Sequence, residues 1–190
     1  MKETIIYGGS FNPPTLAHIT IAEACLKAKP EVDLWIMPSG DRYDKEYTVS
    51  RQQRLEMVQA MAAAINDNRV HVSAFEIERP GHTQTYQSVD LLNQAYPDRT
   101  FRYVFGADAY HGMPSWGHGI ELQQTLPMLL IPRIGSTVVQ AARNIEVLDV
   151  DVPYSSTLVR EAVRAGEPAD HLVCNGVMRY IEQNRLYATA

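Results

Sequence analysis

Short apolar runs alternate along the chain with segments in which apolar residues recur at helical spacing. The apolar runs, which are typical of buried strands, lie at 4–7, 34–37, 70–75, 101–105 and 128–131, with a weaker one at 145–150. Helical spacing occurs over 15–28, 50–65, 86–95, 156–165 and 169–184. Between the fourth and fifth runs the chain contains Gly112, Pro114, Gly117 and Gly119, and we expect loops there.

This alternation predicts right-handed βαβ crossovers and an α/β fold, namely a single Rossmann-like, doubly wound, mostly parallel sheet flanked by helices. The strand runs are almost continuously apolar, as expected when helices cover both faces of a sheet. A length of 190 residues suits one domain. We therefore expect a single domain over 1–190 that includes the last helices at about 156–187.

Composition narrows the functional class mainly by exclusion. Lys and Arg number 17 against 22 Asp and Glu, and the net charge of −5 argues against a basic face that grips nucleic acid. No apolar run approaches the length of about 18 residues that a membrane span needs. The chain reaches its first strand too early for a signal peptide, so we expect a cytoplasmic protein. The composition leaves open whether it forms a homo-oligomer.

The segment that follows the first strand suits a phosphate group, because ligands of parallel sheets bind beyond the carboxyl ends of the strands. Gly8 and Gly9 let the backbone approach a ligand with its N–H groups exposed. The next helix brings its positive N-terminal end to the same place. Thr15 and His18 share one face there, and both can donate hydrogen bonds to phosphate oxygens. The alternative is an ordinary strand–helix turn with a capping Thr and a surface His.

A second group of polar residues precedes the helix predicted at 156–165. Ser155, Ser156 and Thr157 are typical of an N-cap and a first helical turn. Ser156 and Arg160 are four residues apart on one helix face, so a hydroxyl and a guanidinium can surround one anion. The alternative is a capped amphipathic helix with a solvated Arg.

Taken together, segments 8–18 and 155–160 resemble the signature segments of the nucleotidyltransferase superfamily. They read Gly-Gly-Ser-Phe-Asn-Pro-Pro-Thr-Leu-Ala-His and Ser-Ser-Thr-Leu-Val-Arg. Within that superfamily the chain is most similar to the nicotinate (or nicotinamide) mononucleotide adenylyltransferases, over nearly its whole length. Further matching residues are Pro38 and Lys45, Arg54 and Met57, the Gly106-Ala107-Asp108 segment, Trp116 and Arg133.

The resemblance implies an enzyme that joins the AMP moiety of ATP to nicotinate mononucleotide, or to nicotinamide mononucleotide. The products would be deamido-NAD or NAD, with release of pyrophosphate. Such a reaction needs mainly positioning and charge stabilisation, because the attacking phosphate is already an anion. Mg²⁺ would be carried by the ATP phosphates, with no metal site on the protein itself. The catalytic residues implied are His18, Thr15, Lys45 and Arg160.

The same resemblance implies the binding residues. His18 would donate to the α-phosphate, and Lys45 and Arg160 would neutralise the triphosphate. ATP would be bound by Gly8, Gly9, Ser10, Phe11, Gly106, Asp108, Arg133, Ser155, Ser156 and Thr157. The mononucleotide would be bound by Asn12, Arg54, Thr85, Tyr86, Gln87 and Trp116. Trp116 and Tyr86 would stack on the pyridine ring, and the alternative for both is core packing.

Other functions stay open. A phosphopantetheine-type or other small-phosphate nucleotidyltransferase would share both segments. A non-catalytic nucleotide-binding sensor could use the same fold, although His18, Lys45 and Arg160 are all present. A relative of class I tRNA synthetases is disfavoured by the acidic charge and by the absence of a Lys-Met-Ser-Lys-Ser loop. The segment Thr85-Tyr86-Gln87 stands where the family often shows Ser-Tyr-Thr, which leaves the choice between nicotinate and nicotinamide open.

Overall fold

The computed structural model describes residues 1–41, 46–132, 143–150, 152 and 155–188. The strands in these ranges are β1 (Lys2–Gly9), β2 (Asp33–Pro38), β3 (Val70–Val72), β4 (Arg99–Gly106), β5 (Met128–Ile131) and β6 (Ile145–Val147). The helices are α1 (Leu16–Ala28), α2 (Arg51–Ile65), α3 (Thr85–Ala95), α4 (Ala107–Gly112), α5 (Gly119–Thr125), α6 (Ser156–Ala165) and α7 (Asn175–Gln183). A short 3-10 helix, Met113–Ser115, lies between α4 and α5. Within the described ranges, no helix is long and apolar enough to cross a membrane.

The strands form one sheet in the order β3-β2-β1-β4-β5-β6, and every pair in it is parallel. The predicted α/β, doubly wound, Rossmann-like sheet is therefore confirmed, and its described strands are wholly rather than mostly parallel. The chain winds outward from β1 to β3 and then resumes on the other side at β4. This reversal between β1 and β4 is where such folds bind ligands.

Alternating side chains of the central strands fill two cores, one on each face of the sheet. Ile5 and Tyr7 of β1 belong to a core that also contains residues of α1, α2, α6 and α7. Ile6, between them, belongs to a core on the opposite face that contains Leu92 of α3 and Leu122 of α5. Because both faces are buried, the strands are apolar throughout, as the sequence pattern indicates.

Local sequence sets where the helices begin and end. Ser50 caps α2: its Oγ accepts a hydrogen bond from the N–H of Gln53 (3.2 Å), and Gln53 Oε1 accepts one from the N–H of Ser50 (2.8 Å). Ser155 caps α6 by accepting from the N–H of Leu158 at 3.4 Å. Gly166 ends α6 in the left-handed region, with φ at +72°.

Some boundaries differ from the sequence prediction. The stretch after β4, expected to be loops, contains α4, the 3-10 helix and α5, each too short to show a helical period. The two edge strands end early: β3 ends at Val72 rather than 75, and β6 ends at Val147 rather than 150. The last helix begins at Asn175 rather than 169, because the segment before it is held elsewhere. There, the carbonyl of Leu172 accepts from the N–H of Leu16 (2.9 Å), at the start of α1.

Candidate active site

A cavity of about 920 Å³ opens where β1, β2, β4 and β5 end. The loop after β1 forms its floor, and the cavity extends over both faces of the sheet. The part on the α1 face, here called the α1 arm, is lined by Tyr7, Ile21, Ile131, Val152 and Ser155. The part on the α3 face, the α3 arm, is lined by Met37, Glu76, Thr85, Ser88, Tyr103 and Trp116. The size lies within the range of pockets that hold small organic ligands.

The glycine loop predicted to approach a phosphate faces this cavity. At Gly8 no atom lies within 4 Å of the place where a Cβ would be, so the backbone borders open space. At Gly9 a Cβ would lie 3.1 Å from the ring of Phe11, so a larger residue would displace that ring. Phe11 has a left-handed φ of +46° and is 1% exposed. The Phe11 side chain therefore anchors the loop in the core, and the backbone N–H groups of the loop stay available to a ligand.

Thr15 and His18 are joined at the start of α1. His18 Nδ1 accepts a hydrogen bond from the N–H of Thr15 at 2.9 Å, and the Thr15 hydroxyl lies 2.8 Å from the same nitrogen. Because Nδ1 accepts, the proton of the neutral ring is on Nε2. Burial lowers the pKa of His18 to about 4, so the ring is neutral at pH 7. His18 thus takes the place that Glu or Gln usually has in a capping box.

Both side chains lie beside the cavity rather than in its wall. His18 is half-buried and packs against Phe11, with the ring centroids 5.0 Å apart, while Thr15 is 1% exposed. Ile21, three residues along the same face of α1, does line the cavity. The expected contacts of Thr15 and His18 with phosphate oxygens stay predictions. The Nε2–H group is the donor that His18 can offer for them.

The start of α6 is bonded to the loop after β1. Arg160 Nη1 donates to the carbonyl of Asn12 at 2.7 Å, and Ser156 Oγ donates to the carbonyl of Pro13 at 2.8 Å. Arg160 Nη2 donates to Thr157 Oγ1 at 3.1 Å. The structure therefore brings together the two segments that the sequence analysis singled out. Part of the hydrogen-bonding capacity of Arg160 holds the loop in place.

Tyr187 also holds this loop, and the sequence analysis assigned it no part in the site. Its hydroxyl donates to Asn12 Oδ1 at 2.7 Å. Tyr187 is buried, and burial raises the pKa of its hydroxyl, which therefore keeps its proton and acts as a donor. No spacing in the sequence connects two residues so far apart in the chain. The predicted contact of Asn12 with a mononucleotide stays a prediction.

Arg54 lies under the floor of the cavity. Its Nη1 donates to the carbonyls of Ser10 (3.2 Å) and Ser39 (2.6 Å), and its Nη2 donates to Asp41 Oδ1 (3.3 Å). The guanidinium also stacks over the ring of Tyr47, 4.2 Å from its centroid. Arg54 thus ties the loop after β1 to the loop after β2. Its predicted contact with the mononucleotide stays a prediction, since the side chain is fully buried in this structure.

Asp41 connects this arginine to another one that the sequence analysis did not assign to the site. Asp41 Oδ2 accepts from Arg51 Nε at 2.9 Å. Arg51 in turn donates from Nη1 to the carbonyl of Arg79 (2.5 Å) and from Nη2 to the carbonyl of Gly81 (3.2 Å). Asp41 and Arg51 therefore fix the start of α2 against the loop that leads into α3. Neither residue has a spacing typical of ligand binding, so sequence spacing alone does not identify them.

Two residues predicted to bind the mononucleotide, Thr85 and Trp116, line the α3 arm. Trp116 is half-buried, and its ring stands edge to face against Phe105, with the centroids 6.0 Å apart. An aromatic face at the wall of a cavity is a suitable surface for a planar ring. The placement of both residues is therefore compatible with their predicted role.

Tyr86 and Gln87, the two residues after Thr85, do not line the cavity. Tyr86 packs against His118, with ring centroids 4.4 Å apart, in a separate groove between α3 and α5. Gln87 Oε1 accepts from the N–H of Gln84 at 2.9 Å and so caps α3. Successive residues of a helix point about 100° apart, so Thr85 and Tyr86 face different directions. Tyr86 therefore packs against His118 and Gln87 caps α3 in this structure, and their predicted contacts with the mononucleotide stay predictions.

The remaining predicted residues lie at the mouth of the cavity or outside the described ranges. Gly106 and Asp108 line the cavity at the end of β4, and Asp108 is exposed. Lys45, predicted to neutralise the triphosphate, and Arg133, predicted to bind ATP, lie outside the described residues. Among the described residues, no group of three or more His, Cys, Asp or Glu side chains could hold a metal ion.

A wholly parallel sheet, a glycine loop at its winding reversal and two helix starts beside that loop define an α/β nucleotide-binding protein. Residues 6–162 match the cytidylyltransferase-like family, and the chain belongs to that family. It is 31% identical over 194 residues to the nicotinate-nucleotide adenylyltransferase of Bacillus subtilis, which covers 98% of this chain and 99% of that protein. It is also 32% identical over 189 residues to the probable nicotinate-nucleotide adenylyltransferase of Shouchella clausii, with 98% and 97% covered.

A solved structure has the same fold. Nicotinic acid mononucleotide adenylyltransferase of Plasmodium falciparum, complexed with NaAD, superposes with a TM-score of 0.81 at 21% identity, over 98% of both chains. The resemblance to the nicotinate mononucleotide adenylyltransferases is confirmed by relatives that match along almost the whole chain.

Proposed function

We propose that this protein transfers the adenylyl group of ATP to nicotinate mononucleotide, forming deamido-NAD and releasing pyrophosphate. The observation that carries the proposal is one cavity with two arms, one on each face of the sheet, which meet at the glycine loop. Each arm can take one nucleoside, and the loop lies where their phosphates would meet. Similarity to nicotinate-nucleotide adenylyltransferases along the whole chain supports the same activity.

The two arms differ in a way that suits two different rings. The adenosine of ATP would lie in the α1 arm, against Ile21 and close to Ser155 at the start of α6. Asp108 at the mouth would accept a hydrogen bond from a ribose hydroxyl. The pyridine ring would lie in the α3 arm against Trp116, because a stacked aromatic ring is a favourable partner for a planar heterocycle.

The chemical step needs no protein nucleophile. A phosphate oxygen of the mononucleotide forms a bond to the α-phosphorus of ATP, and the bond from that phosphorus to the bridging oxygen breaks. Pyrophosphate leaves with the electron pair of the broken bond. The attacking oxygen is already ionised, so no base has to remove a proton. The contribution of the protein is to align the two phosphates and to stabilise the charge that grows between them.

His18 is the residue best suited to that stabilisation. Its pKa of about 4 keeps the ring neutral at pH 7, so it acts as a hydrogen-bond donor and not as an acid. Its Nδ1 is occupied by Thr15, which orients the ring and leaves Nε2–H for an α-phosphate oxygen. Arg160 would add positive charge from the start of α6, where the helix dipole also favours an anion.

Mg²⁺ enters this proposal as part of the substrate. Mg²⁺ commonly binds substrate phosphates and keeps several of its waters, so ATP would carry it on the phosphate chain. The ion would supply neutralisation of the triphosphate charge. The described part of the chain has no carboxylate or imidazole cluster that could compete for it. Lys45 and Arg133 are proposed to contact the same triphosphate.

Nicotinamide mononucleotide is the second candidate for the acceptor substrate. Glu76 lines the α3 arm, and its negative charge contributes to the raised pKa of Tyr103 in the same wall. A carboxylate at this place disfavours a second negative charge and favours the neutral carboxamide. The relatives are nicotinate-nucleotide adenylyltransferases, which favours nicotinate instead, so the two substrates have to be compared directly.

The test is a paired assay of the purified protein with ATP, Mg²⁺ and either mononucleotide. The proposal expects release of pyrophosphate with nicotinate mononucleotide at a higher kcat/KM than with nicotinamide mononucleotide. The reverse order would reassign the substrate to the carboxamide. Absence of pyrophosphate with both would contradict an adenylyltransferase and favour a nucleotide-binding sensor.

A further inference from the structure

Three buried hydroxyl groups have no hydrogen-bond partner within the described part of the chain, and the residues that carry them all line the cavity. They are Ser39 Oγ, Ser88 Oγ and Tyr103 OH. Ser88 is 3% exposed and Tyr103 is 5% exposed. A buried hydroxyl without a partner costs free energy, and folded proteins keep few of them. Their concentration around one cavity indicates that a ligand supplies the missing partners.

Two other buried polar side chains, at the far end of the sheet from the cavity, do have partners. Thr4 is fully buried, and its Oγ1 accepts from Arg99 Nη1 at 2.7 Å. Asp33 is 9% exposed and accepts from the same Arg99 nitrogen at 3.1 Å. The other buried polar side-chain atoms without a partner among the described residues are two guanidinium nitrogens, Arg54 Nε and Arg79 Nε, so the unpartnered hydroxyl groups are the ones that gather at the cavity.

Two of the three hydroxyls belong to the α3 arm. Ser88 lies on α3, and Tyr103 lies on β4 in the core of the α3 face, against which Trp116 packs. Ser39 belongs to the floor instead, because its N–H donates to the carbonyl of Gly9 at 2.8 Å. Ser88 and Tyr103 are therefore a pair of polar groups in the arm whose other walls include Met37 and Trp116.

We propose that the hydroxyls of Ser88 and Tyr103 donate hydrogen bonds to the carboxyl or carbonyl oxygens that the pyridine ring carries, and that they determine specificity for such a ring. This inference rests on the proposed function and names two residues that the sequence analysis did not assign. A ring without that substituent would leave both hydroxyls buried and unpaired, and such sites reject ligands that lack the bonding group.

Tyr103 can act only as a neutral phenol in this place. Burial raises the pKa of its hydroxyl, and the negative charges of Glu76 and Asp90 raise it further. The hydroxyl therefore keeps its proton at neutral pH and can donate it to an acceptor oxygen. Ser88 carries a hydroxyl that can rotate to do the same.

Tyr103→Phe and Ser88→Ala each remove one hydroxyl and little else. Calorimetric titration of the free protein with nicotinate mononucleotide, nicotinamide mononucleotide and ATP measures binding without turnover. Each variant is expected to bind nicotinate mononucleotide about tenfold more weakly or worse, because hydrogen bonds to a charged acceptor are the stronger ones. Binding of nicotinamide mononucleotide should fall less, and binding of ATP should stay the same. Tyr96→Phe, which removes a phenol hydroxyl outside the cavity, is the matched control.

The thermal midpoint of the ligand-free variants separates binding from folding. Removal of a buried hydroxyl that has no partner should leave Tm unchanged or raise it, whereas a structural role would lower it. The inference would be overturned if both variants kept their affinity for nicotinate mononucleotide, or if their affinity for ATP fell by the same factor as their affinity for nicotinate mononucleotide. Wild-type protein that binds neither mononucleotide would overturn it together with the proposed function. Wild-type protein that binds nicotinate mononucleotide but releases no pyrophosphate would contradict the activity alone.

Discussion

Replacing Arg54 with methionine tests whether the floor of the cavity depends on a buried charge. Arg54 is fully buried and donates hydrogen bonds to the carbonyls of Ser10 and Ser39, at 3.2 and 2.6 Å. Methionine is flexible and fills irregular space in a core, so it keeps most of the packing and removes the donors. Both carbonyls would then lose a charged partner below the loop that faces the substrate phosphates.

The size of the effect follows from those two bonds. A hydrogen bond to a charged group contributes about 1.5–3 kcal/mol, so the pair contributes roughly 3–6 kcal/mol before any offset. Part of this is offset, because the variant no longer removes a guanidinium from water. The third contact adds little, because the Asp41 side chain is 45% exposed and keeps its bond to Arg51. We expect a net loss of about 3 kcal/mol in the free energy of unfolding.

Thermal unfolding followed by circular dichroism measures this loss. For a chain of this size each kcal/mol corresponds to about 2–4 °C, so Tm should fall by about 6–12 °C. Arg164→Met is the matched control, because that arginine is exposed in the last turn of α6 and its loss should change stability by less than about 0.5 kcal/mol. A Tm for the Arg54 variant within about 2 °C of the wild type would refute the reasoning.

Three further predictions concern His18 and Trp116. His18→Ala should lower kcat by roughly 10²–10³-fold, the usual loss for one oxyanion donor, and a loss below about tenfold in a folded variant would contradict the assigned role. The folded-state pKa of about 4 lies below the ordinary value near 6.5, so the unfolded chain binds more protons between those values and acid destabilises the protein. Between pH 7 and 5 the free energy of unfolding of the wild type should therefore fall by about 2 kcal/mol in denaturant titrations. His18→Gln should not show this fall, because glutamine keeps a capping-box acceptor and does not titrate. Equal falls in the two proteins would argue against the lowered pKa of His18. Trp116→Ala should raise KM for the mononucleotide roughly tenfold and leave KM for ATP unchanged in steady-state assays, whereas an equal rise in both would place the tryptophan outside the pyridine site.

The parts of the fold that the sequence predicts well are those with a long and regular pattern. The apolar strands and the α/β alternation follow from burial on both faces of the sheet. The start of α2 after Ser50 and both ends of α6 follow from capping residues. The short helices α4 and α5 are missed, because six or seven residues do not complete two helical turns and carry no period.

In the site, sequence spacing predicts what is local and misses what is formed by tertiary contacts. Thr15 and His18 are neighbours on one helix turn, so their pairing can be read from the chain. The bond from Tyr187 to Asn12 and the bonds from Arg54 to two loops join segments that come together only when the sheet forms. A motif-based match also cannot tell which side of a helix faces the cavity, and Tyr86 lies in the neighbouring groove in this structure.

The central claim, transfer of the adenylyl group of ATP to a pyridine mononucleotide, is tested most directly by following the α-phosphorus. ATP labelled at the α-position is incubated with the protein, Mg²⁺ and nicotinate mononucleotide, and the products are separated by chromatography. The account predicts that the label appears in a dinucleotide, while label placed at the γ-position appears in pyrophosphate. Label that stays in ATP, or that appears only in free AMP, would contradict the account.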